Sequence, residues 1–383
     1  MRQCKYCNAI FPDHANFCGK CGKKLPAAAA AEESMQIPHY MAIDIGPDSI
    51  YCGVGFIERE IFRTIPLAET VRRRITPQNR TTVFTEGAVT YIRDHDGFRL
   101  PDWCVAAVPY LTCLENAQIE STLTKIGIAM PDVMKRISAF AFMVSQTQPI
   151  DRTDNTVLLV AFNRACCEIA AANYSDGVSE MLGVVQRQIT IDAPINMDLF
   201  RKDVEKVIDS GEVKRIDGVY VTGALPSEYG AMLEQLFHTK CIQLPSDSVL
   251  RGLMLRCRAK AGLLKDALLL DINDYDICVG QQVLVQNATT IPVTRNIEFN
   301  YHTARPDKCI DIYIKKNNMV LDVPQHLKLS VKQLLTPGQK TEKLVVRGSI
   351  DRRERLWFKI ENQQIKKKVE YNWEEISRML RGI

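Results

Sequence analysis

From residue 39 onward, short apolar runs (MAIDI, CVAAVPYL, TVLLVAFN, GVYVTG) alternate with longer amphipathic stretches such as 116–125 and 199–209. Apolar runs of about four to eight residues read as strands buried on both faces, and the amphipathic stretches read as helices that cover them. Strands alternating with helices predict an α/β domain over 39–264. Beyond Asp266 the texture changes. VLVQNATTIP, RNIEFNYHT, CIDIYIKKN, LKLSVKQLL and RLWFKIEN are β-branched or alternating and are separated by Asn, Pro, Gly and Asp. They predict an antiparallel β-sandwich over 272–370, joined to the first domain by a linker at 265–271 and closed by a short helix in 371–383. No internal repeat of fixed period is visible. Residues 1–24 carry neither pattern; they are polar and rich in Cys, and a linker at 25–38 that opens with a Pro-Ala stretch, Pro26 to Ala31, sets them apart as a separate module.

Composition narrows the functional classes. In 383 residues, 49 Lys and Arg stand against 45 Asp and Glu, a surplus too small to coat a surface for nucleic acid. No apolar run reaches the ~18 residues of a spanning helix, and the N-terminus lacks a charged-then-apolar signal, so the expected setting is cytoplasmic, without a membrane partner. Thirteen Cys fit that setting: four are clustered, and nine are scattered, mostly among apolar neighbours, the usage of reduced thiols.

The four clustered cysteines, Cys4-x2-Cys7 and Cys18-x2-Cys21, form two knuckles, with Gly19 and Gly22 beside the second. Each Cys-x2-Cys turn aims two thiolates at one tetrahedral corner, so the pair predicts a closed four-sulfur zinc ribbon. Four protein ligands leave no open position, which makes the zinc structural, and so small a module takes its folding free energy from the metal. The module's positive charge is too small to favour nucleic acid, so a protein partner of the ribbon is expected.

The resemblance that organises the rest begins at YMAIDIGPDSIYCGVGF (Tyr40 to Phe56), which looks like the first phosphate hairpin of the actin-like ATPases, and specifically of the 70-kDa heat-shock chaperones. The family's other segments follow in order. Val105 to Met130 resembles its strand, Val-Pro turn and helix; Thr156 to Gly177 its second phosphate hairpin; Ile216 to Phe237 its adenosine-side strand, Gly turn and helix. KDALLLDIN (Lys265 to Asn273) is similar to the interdomain linker, and Asn287 to Thr303 with Cys309 to Asn317 to the peptide-binding β-sandwich. The resemblance implies an actin-like, ribonuclease-H-like α/β domain that binds ATP or ADP with Mg2+, and a sandwich that holds unfolded or extended peptide segments or a specific protein client.

Several departures bear on that chemistry. Asp44 and Gly46 keep the family's Asp-x-Gly, but Pro47 and Asp48 stand where hydroxyl residues belong, leaving Ser49 as the one oxygen donor. The second hairpin reads Ala161-Phe162-Asn163-Arg164-Ala165-Cys166-Cys167-Glu168 in place of Asp-x-Gly-Gly-Gly-Thr-x-Asp. KRISAFAFMVS (Lys135 to Ser145) lacks the family's Glu-Pro-Thr, and Thr222-Gly223-Ala224 keeps one glycine of the adenosine-side turn. Positioning and electrostatics make up most of phosphoryl-transfer catalysis, so these losses argue against ATP turnover. Asp44, Gly46, Ser49, Arg164 and Gly223 are the residues by which a nucleotide would still be held, Arg164 by pairing with a phosphate.

In the sandwich, carry-over by position places Ile277, Phe299, Ile310 and Ile312 along a peptide channel, while their alternation equally fits a sandwich core. Arg352, Arg353, Arg355 and the run Lys366-Lys367-Lys368 read as a solvated β-edge. Cys166-Cys167 suggests redox chemistry or, from its apolar setting, two buried thiols. The leading expectation is a zinc-ribbon-tagged, lidless, chaperone-like protein-binding adaptor with a degenerate, non-hydrolysing nucleotide site. An active ATP-dependent chaperone and a purely structural scaffold are the alternatives.

Overall fold

A computed structural model of the protein describes residues 2–3, 10–11, 38–46, 50–56, 60–65, 80–96, 99–108, 113–148, 155–162, 166–176, 181–192, 196–208, 215–260, 264, 267–273, 275–286, 289–315, 325–351 and 353–382. β1 (Arg2–Gln3) and β2 (Ile10–Phe11) pair antiparallel on either side of the first Cys-x2-Cys. Cys4, Cys7, Cys18 and Cys21 lie outside the described residues.

The α/β domain is built twice. β3 (Tyr40–Ile45), β4 (Ile50–Gly55) and β5 (Glu60–Ile65) form an antiparallel meander. After α1 (Arg80–Asp96), β6 (Trp103–Val108) adds parallel to β3, and α2 (Cys113–Ile126) leads to β7 (Met130–Lys135), parallel to β6. α3 (Arg136–Thr147) then carries the chain into a second copy. There β8 (Asn155–Phe162), β9 (Cys166–Asp176) and β10 (Met181–Asp192) form the meander, followed by α4 (Met197–Ile208), β11 (Gly218–Thr222), α5 (Ser227–Phe237) and β12 (Cys241–Leu244). The strand orders, β5-β4-β3-β6-β7 and β12-β11-β8-β9-β10, are the same order twice, with the same parallel and antiparallel pairings. The copies share a pattern of pairing and burial and not residue identities, so no period marks them in the sequence.

Alternation along the central strands explains the layering. Tyr40 and Ala42 of β3 face an inner core with Val105, Ala107, Val157 and Leu159, while Met41, Ile43 and Ile45 face α1 and α2. Leu158 and Val160 of β8 likewise face α4 and α5. Five layers result: two helices, a sheet, α3 with α6 (Ser248–Lys260), a sheet, and two helices. α3 is buried from Arg136 to Ser145. α3 and α6 approach so closely that a Cβ on Gly252 would lie 1.9 Å from the Ala139 carbonyl oxygen.

Over the predicted linker, β13 (Ala267–Ile272) joins the second sheet, parallel to β10 from Met181↔Ala267 to Val184↔Leu270. The remaining strands are β14 (Asp276–Val279), β15 (Gln282–Val285), β16 (Thr290–Ile291), β17 (Val293–His302), β18 (Cys309–Lys315), β19 (Gln325–Ser330), β20 (Thr341–Ile350), β21 (Leu356–Asn362) and β22 (Lys367–Tyr371). β16 pairs with β13, and the others form two antiparallel sheets, β15-β14-β18-β19 and β17-β20-β21-β22, around one apolar cluster. α7 (Trp373–Leu380) closes this unit, where the sequence predicts a helix over Glu374 to Arg381. Asn372 caps α7 by accepting from the Glu375 amide, and the Glu375 carboxylate accepts from the Asn372 amide in return, both at 3.0 Å. Among the described residues, no helix is long and apolar enough to cross a membrane.

Candidate functional site

β3 and β8 are equivalent strands of the two halves, and a buried carboxylate reaches the seam between them from each half, Asp44 on β3 and Glu168 on β9, the neighbour of β8. Asp44, near the end of β3, is 2% exposed. Glu168, on β9 opposite Ala161 of β8, is fully buried. Arg136, the first residue of α3, lies between the two. Its Nε donates to Asp44 Oδ1 at 2.6 Å, its Nη2 to Asp44 Oδ2 at 3.3 Å and its Nη1 to Glu168 Oε2 at 2.6 Å. A planar guanidinium matches this two-sided demand because its donors are fixed in a fork. The N-terminal end of α3 adds the positive end of its helix dipole on the same side.

This geometry decides what the seam can hold. The resemblance implies Mg2+ and a nucleotide polyphosphate near Asp44, and the residues present do not fit them. The carboxylate oxygens already accept from a guanidinium in direct contact, so a divalent ion would have to displace Arg136 to bond them. No step through metal or nucleotide follows from this arrangement. Of the other residues predicted to hold nucleotide, Gly46 is buried just beyond β3, and Ser49 and Arg164 lie outside the described residues. Gly223 has φ +89°, and a Cβ there would lie 1.7 Å from the Phe162 carbonyl oxygen. Its own carbonyl accepts from Gln243 Nε2 at 2.7 Å. Gly223 thus serves the close approach of the ends of β11 and β8.

A second set of buried charges adjoins the first. Lys135, immediately before Arg136, is 1% exposed and forms an ion pair at 3.1 Å with Glu354, 2% exposed, from the β20–β21 loop. In that loop Asp351 Oδ1 accepts from the amides of Arg353 and Arg355, and Glu354 takes a left-handed conformation, φ 59°. So shaped, the loop presents three consecutive charges to the first half. Arg353 Nε lies 3.1 Å from Asp132, which also pairs with Lys260. Burial pushes the Lys260 ammonium down, against the opposing pull of Asp132. α2 turns Ile119 and Leu123 into the core of the first half and a polar stripe toward the antiparallel unit. From that stripe Asn116 donates to the Arg353 carbonyl, Glu120 accepts from Arg355 at 2.6 and 2.9 Å and from Trp373 Nε1 at 2.7 Å, and Ser121 accepts from Arg381 at 2.6 Å. The solvated-edge expectation is therefore corrected for Arg353 and Arg355, which dock the antiparallel unit on the first half. Arg352 lies outside the described residues.

Ile277, Ile310 and Ile312, placed along a peptide channel by carry-over, are fully enclosed between the two antiparallel sheets. Phe299 is half-buried, beside Gly280. Cys167 is buried on β9, and burial pushes the Cys104 and Cys257 thiols well up, away from the reactive thiolate.

No family model matches the chain, and no curated protein does. Among solved structures it is similar to MreB5 of Spiroplasma citri, crystallised with ADP, at 11% identity and a TM-score of 0.41, over 60% of this chain and 98% of that one. It is also similar to a Bacteroides thetaiotaomicron protein of actin-like ATPase fold and unknown function, at 7% identity and a TM-score of 0.40, over 58% and 97%. Likenesses of this size transfer neither activity nor ligand.

Proposed function

We propose that the protein is a chaperone-like, protein-binding adaptor of the 70-kDa heat-shock type, whose actin-like domain neither hydrolyses nor requires nucleotide. The observation that supports this reading is the Arg136 guanidinium between Asp44 and Glu168. It hydrogen-bonds both carboxylates from within and offsets one of their two charges, so a metal would have to displace it to bond either group. The buried Lys135–Glu354 pair agrees with it, since a unit held by such contacts is a fixed platform and not a switched one. Extended peptide segments or a specific client would meet the antiparallel unit at its surface, Phe299 included. The full chain is expected to suppress aggregation of a chemically unfolded client, read by light scattering, equally with and without ATP and Mg2+. ATP-dependent release of the client contradicts the reading. A structural scaffold is the second reading, favoured by the complete burial of Ile277, Ile310 and Ile312; no suppression at several-fold excess supports it.

The ribbon of Cys4, Cys7, Cys18 and Cys21 would hold one structural zinc and recruit a protein partner. Purified protein is expected to carry equimolar zinc by elemental analysis. A zinc-free preparation with a folded N-terminal module contradicts that assignment.

A further inference from the structure

We infer that Arg136 is the resident cation of the seam: a tethered guanidinium that takes the charge-balancing role a divalent ion could play between Asp44 and Glu168, and that keeps the two halves closed without any diffusible ligand. The inference rests on the adaptor reading for the loss of nucleotide chemistry and goes beyond it in naming what replaces the metal and which ligand class the site takes once the guanidinium is gone.

The two carboxylates come from different halves, and both are buried. Placed together without a counter-charge they would repel each other and take up protons, which would weaken the closed seam. A hard divalent cation answers such a demand with bonds to both oxygens, at about 2.0–2.6 Å for Mg2+ or Ca2+. Arg136 answers it with hydrogen bonds of 2.6 Å to one oxygen of each group. The cation arrives on α3, the helix that leaves the last strand of the first half and enters the second, so closure is written into the connection itself. Lys135, one residue earlier, faces Glu354 of the antiparallel unit. Two consecutive cations thereby tie together three parts of the chain.

The test is thermal melting of the full-length protein and of Arg136→Ser, each with and without millimolar Mn2+ or Mg2+. The wild-type midpoint is expected to be unmoved by either ion. Arg136→Ser is expected to melt several degrees lower and to recover saturably with Mn2+ and, separately, with low concentrations of methylguanidinium. The added substitution Asp44→Asn should abolish the Mn2+ response. Wild-type protein that responds to Mn2+ as the variant does, or a variant whose folding is indifferent to both cations, overturns the inference. Should Arg136→Ser not fold unaided, recovery of soluble protein on refolding gives the same reading: recovery that follows Mn2+ or methylguanidinium supports the inference, and recovery with neither overturns it. Binding of ATP by the wild-type chain would overturn the adaptor reading instead, and the two failures are thereby distinguished.

Discussion

Replacing Lys135 by Met is expected to cost about 3–5 kcal/mol of stability, because it removes the lysine from a buried ion pair and leaves the Glu354 charge behind. Both side chains are almost completely enclosed, so water cannot replace the lost partner. The Glu354 backbone adds to the expectation: its left-handed φ is costly for a residue with a side chain, and the loop holds it there with Asp351 as the acceptor of two amides. The double substitution Lys135→Met with Glu354→Met is expected to recover most of the loss, since two apolar groups of similar volume replace a buried pair at little net cost. A double-mutant cycle by denaturant unfolding measures both terms. If Lys135→Met lies within about 1 kcal/mol of the wild type, the ion pair does not lock the antiparallel unit to the first half.

Gly223→Ala is the second large effect. The new Cβ would fall 1.7 Å from a backbone oxygen at a residue with φ +89°, so β11 and β8 must separate at their ends or the turn must rebuild. A loss of about 3 kcal/mol or more is expected. Gly230→Ala is the control: it lies in α5 with open space around its Cα, and alanine there is expected to stabilise by about 0.5–1 kcal/mol. Urea unfolding midpoints of the two variants separate these outcomes. If Gly223→Ala proves as mild as Gly230→Ala, the close approach to Phe162 is not a constraint on the fold.

Much of the architecture was legible in the sequence, for local reasons. MAIDI, TVLLVAFN and GVYVTG became central strands buried on both faces, because continuous apolar runs have no other place to go. The alternating strands beyond Asp266 became two antiparallel sheets, and the closing helix appeared within a residue of its predicted bounds. What stayed hidden was long-range. LLL at 268–270 reads as linker or strand, and only pairing with β10 makes it a strand. Arg353 and Arg355 read as solvated until Asp132 and Glu120 of the first half are brought opposite them.

Arg136 was the functional residue most easily missed. Asp44 and Gly46 stood out through their resemblance to a phosphate hairpin, and Glu168 only as the end of a degenerate one. Yet a signal was present. KR leads directly into ISAFAFMVS, a stretch apolar enough to be buried on all sides, and two cations at the head of such a helix require buried acidic partners. Those partners are Glu354 for Lys135 and Asp44 with Glu168 for Arg136.

The central claim of the adaptor reading, that the actin-like domain takes up no nucleotide, is tested most directly by titration calorimetry of the full chain with ATP and with ADP in the presence of Mg2+. The account predicts no saturable heat at millimolar ligand. Saturable micromolar binding that depends on Mg2+ would contradict it.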